Sequence, residues 1–199
     1  MCNFINNLSL KNHNTFGIDA KAKYFVEFES IMELEKIISS DTFNNNKSFI
    51  LGGGSNLLFT QDYDGLIIHN KIAGICILKD NDNNVIVEAG GGVNWHEFVM
   101  WSVNQNLSGI ENLALIPGTV GASPMQNIGA YGMEVKDSIR KVHAFEISSK
   151  ELKTFSNEEC DFGYRNSIFK KTLKNKLIIT KVEFKLSKIA LNNTNYGAI

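Results

Sequence analysis

The chain has 199 residues, of which 43% are hydrophobic and 21% are charged, a composition typical of folded globular proteins and unlike that of disordered ones. Lysine and arginine total 20 against 21 aspartates and glutamates, so the formal net charge is −1. This balance argues against a general binder of nucleic acid or of membrane surfaces, and we expect neither as a partner.

The N-terminus and the cysteines bear on the cellular compartment. Residues 1–14 are polar and do not resemble a secretion signal, and no apolar run approaches the roughly 18 residues that a membrane-spanning helix needs. Cys2, Cys76 and Cys160 lie far apart and form no CxxC pair. A disulfide framework or a zinc site is therefore not expected, and neither is a metal site from the four isolated histidines. We expect a cytoplasmic protein.

The first part of the chain reads as strands around one helix. Alternating apolar residues predict a strand at Lys23–Glu29. Ser30 and Glu33 form a capping-box pattern that predicts a short helix. Further extended segments are predicted at 48–51, 57–59, 66–69, 75–78 and 85–88.

The second part of the chain opens with another helix signal. Asn94 with Glu97 is an N-cap pattern, and the helix that it predicts carries Trp95, Phe98 and Val99 on one face. Strands are predicted at 142–147, 152–155 and 177–186, with a short helix near 157–160.

These elements decide the expected fold class. Strands outnumber helices and do not alternate regularly with them, which favours α+β over a doubly wound sheet. We place a boundary in the segment between Asn70 and Gly74, which divides the chain into a smaller unit at residues 1–71 and a larger one at residues 72–199.

A first glycine-rich segment follows the predicted strand at 48–51. Its residues are Gly52, Gly53, Gly54, Ser55, Asn56 and Leu57. Such a segment can turn several backbone N–H groups toward a phosphate, which they stabilise without a full charge. The segment lacks the Lys-Ser/Thr of a Walker loop and the GxGxxG spacing of a dinucleotide fold. A glycine-rich hairpin turn remains the alternative.

A second segment, residues 116–132, contains both prolines of the chain, Pro117 and Pro124, among small and uncharged polar residues. Long loops of this kind in compact domains are usually functional. The composition suits a pocket for a flat, largely apolar ring edged with amide-like atoms. A buried structural loop is the alternative.

A third segment, Phe162–Phe169, places Arg165 among aromatic residues and a glycine. A guanidinium in such a setting is costly to bury without an anionic partner, and it can bind a carboxylate in bidentate fashion. The alternative is a structural ion pair between Arg165 and Asp161 or Glu159.

Five motifs in this order resemble the UDP-N-acetylenolpyruvoylglucosamine reductase family, flavoenzymes of peptidoglycan precursor synthesis, from about Asn14 to Tyr196. The motifs are Asn14–Gly17, Leu51–Asn56, Glu111–Gly118, Gln126–Gly132 and Phe162–Arg165. The resemblance implies a two-subdomain FAD-binding module of the vanillyl-alcohol-oxidase (PCMH) type, followed by a substrate domain. It also implies non-covalent FAD. The residues that it implies for FAD binding are Gly52, Gly53, Gly54, Ser55, Asn56, Leu57, Pro117, Gly118, Thr119, Gly121, Ala122, Ser123, Gln126, Ile128, Gly129, Ala130 and Tyr131.

The chemistry implied by the resemblance is the NADPH-dependent reduction of the enolpyruvyl group of a UDP-sugar. Arg165 is the implied catalytic residue, which binds the substrate carboxylate, and Tyr164 and Tyr196 line the substrate side. Family members are longer by about one domain, which carries a proton-donating serine and an assisting glutamate. We therefore expect FAD binding with weak or no turnover. A non-catalytic flavin-binding remnant, one part of a split enzyme, or another oxidase of the same fold are the alternatives.

Overall fold

The computed structural model describes residues 2–190, and its N-terminal part is built on a four-stranded sheet. The strands are β1 (Ile5–Ser9), β2 (Lys21–Phe28), β3 (Ser48–Leu51) and β4 (Tyr63–Asn70), and their order in the sheet is β1-β2-β4-β3. Strands β2, β3 and β4 run parallel, while β1 pairs antiparallel with β2.

Two helices, α1 (Ile31–Ile38) and α2 (Asp41–Asn44), connect β2 to β3. The predicted cap of α1 is confirmed, because Ser30 Oγ accepts a hydrogen bond from the Glu33 N–H at 3.3 Å. The Glu33 carboxylate accepts from the N–H of Glu29 at 2.7 Å instead of from the N–H of Ser30. Because one face of α1 is apolar, it buries Leu34, Ile37 and Ile38 against the sheet.

A five-stranded antiparallel sheet forms the rest of the described chain. Its strands are β5 (Ile75–Asp80), β6 (Asn84–Gly90), β9 (Ile139–Glu146), β10 (Glu151–Ser156) and β11 (Leu177–Ser187), in the order β10-β9-β11-β6-β5. Between β6 and β9 lie helix α3 (Trp95–Asn104) and a small hairpin of β7 (Gly129–Ala130) and β8 (Met133–Glu134). None of the helices within residues 2–190 has the length and apolar character needed to span a bilayer.

Helix α3 covers one face of the five-stranded sheet. Asn94 caps the helix by accepting from the Glu97 N–H at 3.1 Å, as the sequence predicts. Phe98 packs on Phe184 of β11 with ring centroids 4.7 Å apart, and Trp95 lies beside both rings. This aromatic cluster is fully buried and forms the centre of the larger core.

The two sheets are joined by a shared core and by a close backbone contact. Phe145 of β9 and Ile178 of β11 pack into the same apolar cluster as helix α1. At Gly92, shortly after β6, a Cβ atom would lie 2.8 Å from the carbonyl oxygen of Asn70 at the end of β4, so the backbones meet where only glycine fits. The sheets therefore form one packed body, and their division into two domains at residue 71 stays a prediction.

The α+β class is confirmed, and so is the fold type, as the comparisons below show. The prediction of an extended segment at Leu57–Phe59 is wrong, because these residues form no regular secondary structure. Leu57 and Phe59 instead pack against the small cluster that contains Leu10 and Phe25. Strand β1 is not predicted, since its residues are mostly exposed and polar and pair only with β2.

We expect Phe184→Ala to lower the free energy of unfolding by about 3–5 kcal/mol, because it removes a fully buried ring from the aromatic cluster. Leu152→Ala is the control, since Leu152 is 58% exposed on β10 and its truncation should change stability by less than about 1 kcal/mol. Urea unfolding monitored by circular dichroism measures both values. Equal losses in the two variants would contradict the assignment of this core.

Candidate functional site

Two adjoining cavities lie between the sheets. The larger, about 440 Å³, is lined by the glycine-rich segment after β3 and by the loop that precedes β7. The smaller, about 260 Å³, is mainly apolar and runs between β3 and the start of β11. Both cavities are lined by Phe49, Ile50, Gly52, Thr119, Ala122, Met125, Lys170 and Lys174, so together they form one cleft.

The backbone of the glycine-rich segment forms one wall of this cleft. Among residues 2–190, the N–H groups of Gly53, Gly54, Ser55 and Asn56 find no acceptor on the protein. A Cβ atom at Gly53 would lie 2.9 Å from the Cα of Gly118, so the two loops touch backbone to backbone. Unpaired N–H groups beside a cavity are donors that suit an anionic ligand.

Side chains connect the glycine-rich segment to the second loop. Ser55 Oγ donates to the Pro117 carbonyl at 3.2 Å, and Asn56 Nδ2 lies 3.5 Å from Gln126 Oε1. Two motifs that are more than 60 residues apart in sequence therefore meet at the cleft.

The N-terminal motif supports the glycine-rich segment from behind. Asn14 closes its own loop by donating to the carbonyls of Leu10 and Ile18 and by accepting from the Ile18 N–H. The Thr15 N–H then donates to the Gly54 carbonyl at 3.3 Å, and the His13 carbonyl packs directly on Gly54. This loop fixes the conformation of the cleft wall.

The second loop forms the opposite wall through a short 3₁₀ turn at Val120–Ala122. The Gly121 N–H donates to the Gly91 carbonyl at 2.9 Å, which ties this turn to the end of β6 in the five-stranded sheet. Ser123 is buried, and its hydroxyl donates to the Val120 carbonyl at 2.8 Å.

The structure distributes the FAD-binding residues implied by the resemblance between the cleft and its surroundings. Gly121 lines the smaller cavity. Gly129, Ala130 and Tyr131 form the start and tip of the β7–β8 hairpin, outside the two cavities described here. Those that line the larger cavity are Gly52, Gly53, Gly54, Ser55, Asn56, Leu57, Pro117, Gly118, Thr119, Ala122, Ser123, Gln126 and Ile128.

Tyr164 and Arg165 form the tip of a tight turn next to the cleft. Both side chains are exposed, and Arg165 has a φ of +51°. Within residues 2–190 Arg165 forms no ion pair, so the alternative of a structural pair with Asp161 or Glu159 is wrong. Tyr196 lies outside the described residues.

Two lysines were not among the predicted site residues. Lys170 and Lys174 line both cavities and bring positive charge to a cleft whose other walls are largely neutral. The available signal was the lysine-rich stretch that follows Arg165 in sequence, but nothing local indicates that this stretch turns back to the cleft.

A pair of histidines lies under the wall that carries Gly54. The rings of His13 and His69 are 5.4 Å apart, and His69 Nδ1 lies 2.9 Å from a carboxylate oxygen of Glu27. Burial lowers the pKa of both histidines, although the Glu27 carboxylate acts in the opposite direction. Both rings are therefore favoured as neutral groups in the folded protein.

One cluster elsewhere was not expected from the isolated histidines in the sequence. His143 Nε2 lies 2.8 Å from Glu183 and 4.0 Å from Glu88, on adjacent strands of the five-stranded sheet. The same carboxylates pair with Arg140 and Lys181, so their charges are already balanced. This arrangement is a cross-strand ion-pair network, and burial of one of its carboxylates is offset by these partners.

The buried cysteine, Cys160, lies in surroundings that disfavour its thiolate form. Burial raises the pKa of the Cys160 thiol to about 12, and the nearby carboxylates of Glu159 and Glu158 act in the same direction. The thiol therefore stays protonated near neutral pH.

Comparison with known proteins identifies the class of protein that has this fold and cleft. A family of sequences described as an FAD binding domain matches residues 22–150, which is more than half of the chain. The chain belongs to this family of FAD binding domains. The match includes the glycine-rich wall and the second loop of the cleft.

The relatives give a more particular resemblance. The chain is 52% identical over 194 residues to a UDP-N-acetylenolpyruvoylglucosamine reductase of Flavobacterium johnsoniae and 45% identical over 193 residues to that of Amoebophilus asiaticus. Each alignment covers 97% of this chain and 57% of the relative. The resemblance indicated by the sequence motifs is therefore confirmed, and the chain spans little more than half the length of these relatives.

Solved structures show the same relationship in three dimensions. The UDP-N-acetylenolpyruvylglucosamine reductase (MurB) of Thermus caldophilus matches with a TM-score of 0.71 at 25% identity, covering 94% of this chain and 62% of that one. The 6-hydroxy-D-nicotine oxidase of Arthrobacter nicotinovorans matches with a TM-score of 0.69 at 16% identity, covering 94% and 42%, and shows the fold alone.

The cleft fits the parts of an FAD molecule. The N–H groups of the wall at Gly53–Asn56, which are unpaired within the described part of the chain, suit a diphosphate, and Lys170 and Lys174 add positive charge that attracts such an anion. Apolar residues such as Met125 and Ile128 line the same space and suit a flat ring.

We expect Gly53→Ala to weaken FAD binding at least tenfold, because the added methyl group would lie 2.9 Å from the Gly118 backbone and would push the two walls apart. Gly163→Ala is the matched control, since its Cβ would meet only the Asn166 Cβ at 3.8 Å. Quenching of flavin fluorescence on titration measures both affinities. Unchanged affinity in Gly53→Ala would show that the contact between the loops does not shape the site.

We expect the free energy of unfolding to fall as the pH drops from 7 to 5, partly because of His69. Burial lowers the pKa of His69 in the folded state, so the unfolded chain binds the proton first as the pH falls. Acidification below about pH 6.5 therefore stabilises the unfolded state relative to the folded one. His69→Gln should therefore make the free energy of unfolding less dependent on pH in this window, and His13→Gln should do the same. Urea unfolding at several pH values tests this, and an unchanged slope in both variants would contradict it.

Proposed function

We propose that the protein binds FAD non-covalently in this cleft and takes part in the NADPH-dependent reduction of the enolpyruvyl group of a UDP-N-acetylglucosamine enolpyruvate to UDP-N-acetylmuramate. The observation that carries the proposal is the row of N–H groups at Gly53–Asn56, which find no acceptor among residues 2–190 and lie on the wall of a cavity in an FAD binding domain. The names of the relatives support the choice of reaction.

The wall and the lysines would hold the anionic part of the cofactor. Backbone donors are already oriented by the loops, so binding costs little reorganisation. Lys170 and Lys174 lie on the same cleft and would contribute long-range attraction for a diphosphate.

The second loop would hold the ring. Thr119, Ala122 and Ser123 come from the short turn that is tied to Gly91, so their backbone groups are rigidly placed beside the cavity. FAD, when bound, supplies the acceptor and donor of hydride, while the protein supplies placement and electrostatics.

Arg165 would bind the carboxylate of the enolpyruvyl group. Its guanidinium has no ion-pair partner among the described residues and is exposed, so it is available to an incoming anion. A bidentate contact would orient the substrate and stabilise the negative charge that spreads toward this carboxylate. Tyr164 would line the same side, and Tyr196 is proposed for it from the resemblance only.

We place the protein in the cytoplasm. Its three cysteines are free, with one of them, Cys76, exposed, and this state suits a reducing compartment.

FAD titration of the purified chain tests the proposed function. We expect saturable binding of one FAD per chain. Because the sequence predicts weak turnover, we expect only a slow loss of flavin absorbance on anaerobic addition of NADPH and only a slow return on addition of the enolpyruvyl UDP-sugar. UDP-N-acetylglucosamine, which lacks the enolpyruvyl group, is the control and should not restore the absorbance.

Each outcome decides one part of the proposal. A folded chain that binds no FAD would contradict the whole of it. FAD binding without any response to NADPH or to the enolpyruvyl UDP-sugar would contradict the reductase activity and favour a flavin-binding protein without turnover.

We expect Arg165→Ala to slow the return of absorbance by about 10²–10³-fold, because it removes a contact that strengthens as charge develops. FAD affinity should stay within about threefold of wild type. Lys171→Ala is the control, since this exposed neighbour lines neither cavity. An unchanged rate in Arg165→Ala would assign the arginine to another role.

A further inference from the structure

The turn that carries Tyr164 and Arg165 is tethered to the second loop of the cleft by two buried side chains. They are Asn127, which is 1% exposed, and Ser167, which is fully buried. Neither residue belongs to the glycine-rich wall, and neither was singled out as a site residue by the sequence.

Asn127 connects the loop to the turn through its amide group. Its Nδ2 donates to the Gly163 carbonyl at 3.1 Å, while its Oδ1 accepts from the Lys136 N–H at 3.0 Å. The residue stands between Gln126 and Ile128, which both line the larger cavity. Its φ of +46° is in the left-handed region, which asparagine tolerates better than most residues.

Ser167 makes the second connection, from the other side of the turn. Its Oγ donates to the Met125 carbonyl at 2.7 Å. Met125 lines both cavities, so this bond joins the chain just after the turn to the wall of the cleft.

The turn between these tethers is itself closed by hydrogen bonds. Gly163 and Asn166 exchange two backbone bonds, at 3.0 and 3.1 Å. Lys170 Nζ donates to the Arg165 carbonyl at 3.1 Å. The backbone at Arg165 is therefore fixed on several sides, although the side chain is exposed.

We propose that Asn127 and Ser167 are positioning residues, which hold the Tyr164–Arg165 turn in a fixed place relative to the FAD loop. The inference rests on the proposed function of Arg165. Because the Arg165 side chain is exposed, only the backbone that carries it can fix its position. A displacement of about 1 Å at a reacting group can lower the reaction rate about 10²-fold. Through these two tethers, the second loop both forms a wall of the cavity and fixes the position of the Arg165 guanidinium.

The test uses Asn127→Asp in the full chain. Near neutral pH the carboxylate can still accept from the Lys136 N–H, but it cannot donate to the Gly163 carbonyl and is repelled by it. At lower pH the neutral acid regains a donor, and burial raises the pKa of such a carboxyl, which helps this recovery. Recovery at low pH would assign the effect to the lost donor, and a change in rate without a change in FAD affinity would distinguish positioning of the turn from a general loss of structure.

Two measurements follow the variant at pH 7.5 and at lower pH. Hydrogen exchange of the Asn166 amide, which closes the turn, should be at least tenfold faster than in wild type at pH 7.5. It should approach the wild-type rate at the same pH as the pH falls toward 5. The rate at which the enolpyruvyl UDP-sugar restores flavin absorbance should fall about tenfold and recover in parallel, with FAD affinity within about threefold of wild type.

Asn157→Asp is the matched control. Asn157 Nδ2 also donates to backbone carbonyls, those of Lys136 and Ile139, but it does not contact the turn. Its substitution should leave exchange at Asn166 unchanged. Ser167→Ala is the second variant, in case Asn127→Asp does not fold, and it should also speed exchange at Asn166.

The outcomes separate this inference from the proposed function. Wild-type chain that binds no FAD would contradict the proposed function, while exchange at Asn166 would still decide whether the turn is tethered. Normal FAD binding with unchanged exchange in Asn127→Asp and Ser167→Ala would overturn the inference. Equal effects of Asn127→Asp and Asn157→Asp, without recovery at low pH, would overturn it too, because they would indicate general destabilisation.

Discussion

The cleft depends on one constraint, the direct contact of two backbones at Gly53 and Gly118. A side chain at Gly53 would come within 2.9 Å of the facing Cα, so the walls can meet only because glycine is present. Once the walls meet there, the next residues of the segment diverge around a cavity of about 440 Å³ with their N–H groups unpaired among residues 2–190. The proposed binding of an anion thus depends on the absence of side chains at the contact, since a larger residue would occupy the space that the ligand needs.

The two sheets behind the walls hold Gly53 and Gly118 in contact. Phe145 and Ile178 belong to the five-stranded sheet but pack with helix α1 of the four-stranded one, so the two sheets cannot shift without disturbing a core. Gly92 adds a second link between the sheets, because a Cβ atom there would lie 2.8 Å from the Asn70 carbonyl oxygen at the end of β4. Functional loops on a rigid scaffold are a common arrangement, and here each wall is anchored to a different sheet.

The sequence predicts the local parts of this arrangement better than the long-range ones. The strand at Ser48–Leu51 and the helix capped by Asn94 follow from short patterns, and the structure contains both. The strand predicted at Leu57–Phe59 does not form, because Leu57 and Phe59 alternate in order to pack against a hydrophobic cluster and do not pair with another strand. Lys170 and Lys174 were missed for a related reason: their place in the cleft depends on a turn in the chain after Arg165 that no local pattern encodes. The carboxylate role of Arg165 stays a prediction, since its exposed side chain has no ion-pair partner among residues 2–190 that would define its role.

Three hydroxyl groups beside the cleft show what its polar side chains do. Ser55, Ser123 and Ser167 each donate to a backbone carbonyl, of Pro117, Val120 and Met125 respectively. A hydroxyl whose proton is held by a carbonyl stabilises a loop and is poorly placed to transfer that proton to a ligand. These three hydroxyl groups therefore serve the geometry of the backbone, and the proposed ligand contacts are left to N–H groups, lysines and Arg165. This division accounts for the small residues in both loops: in the proposed site the backbone forms much of the binding surface, and these hydroxyl groups hold it in shape.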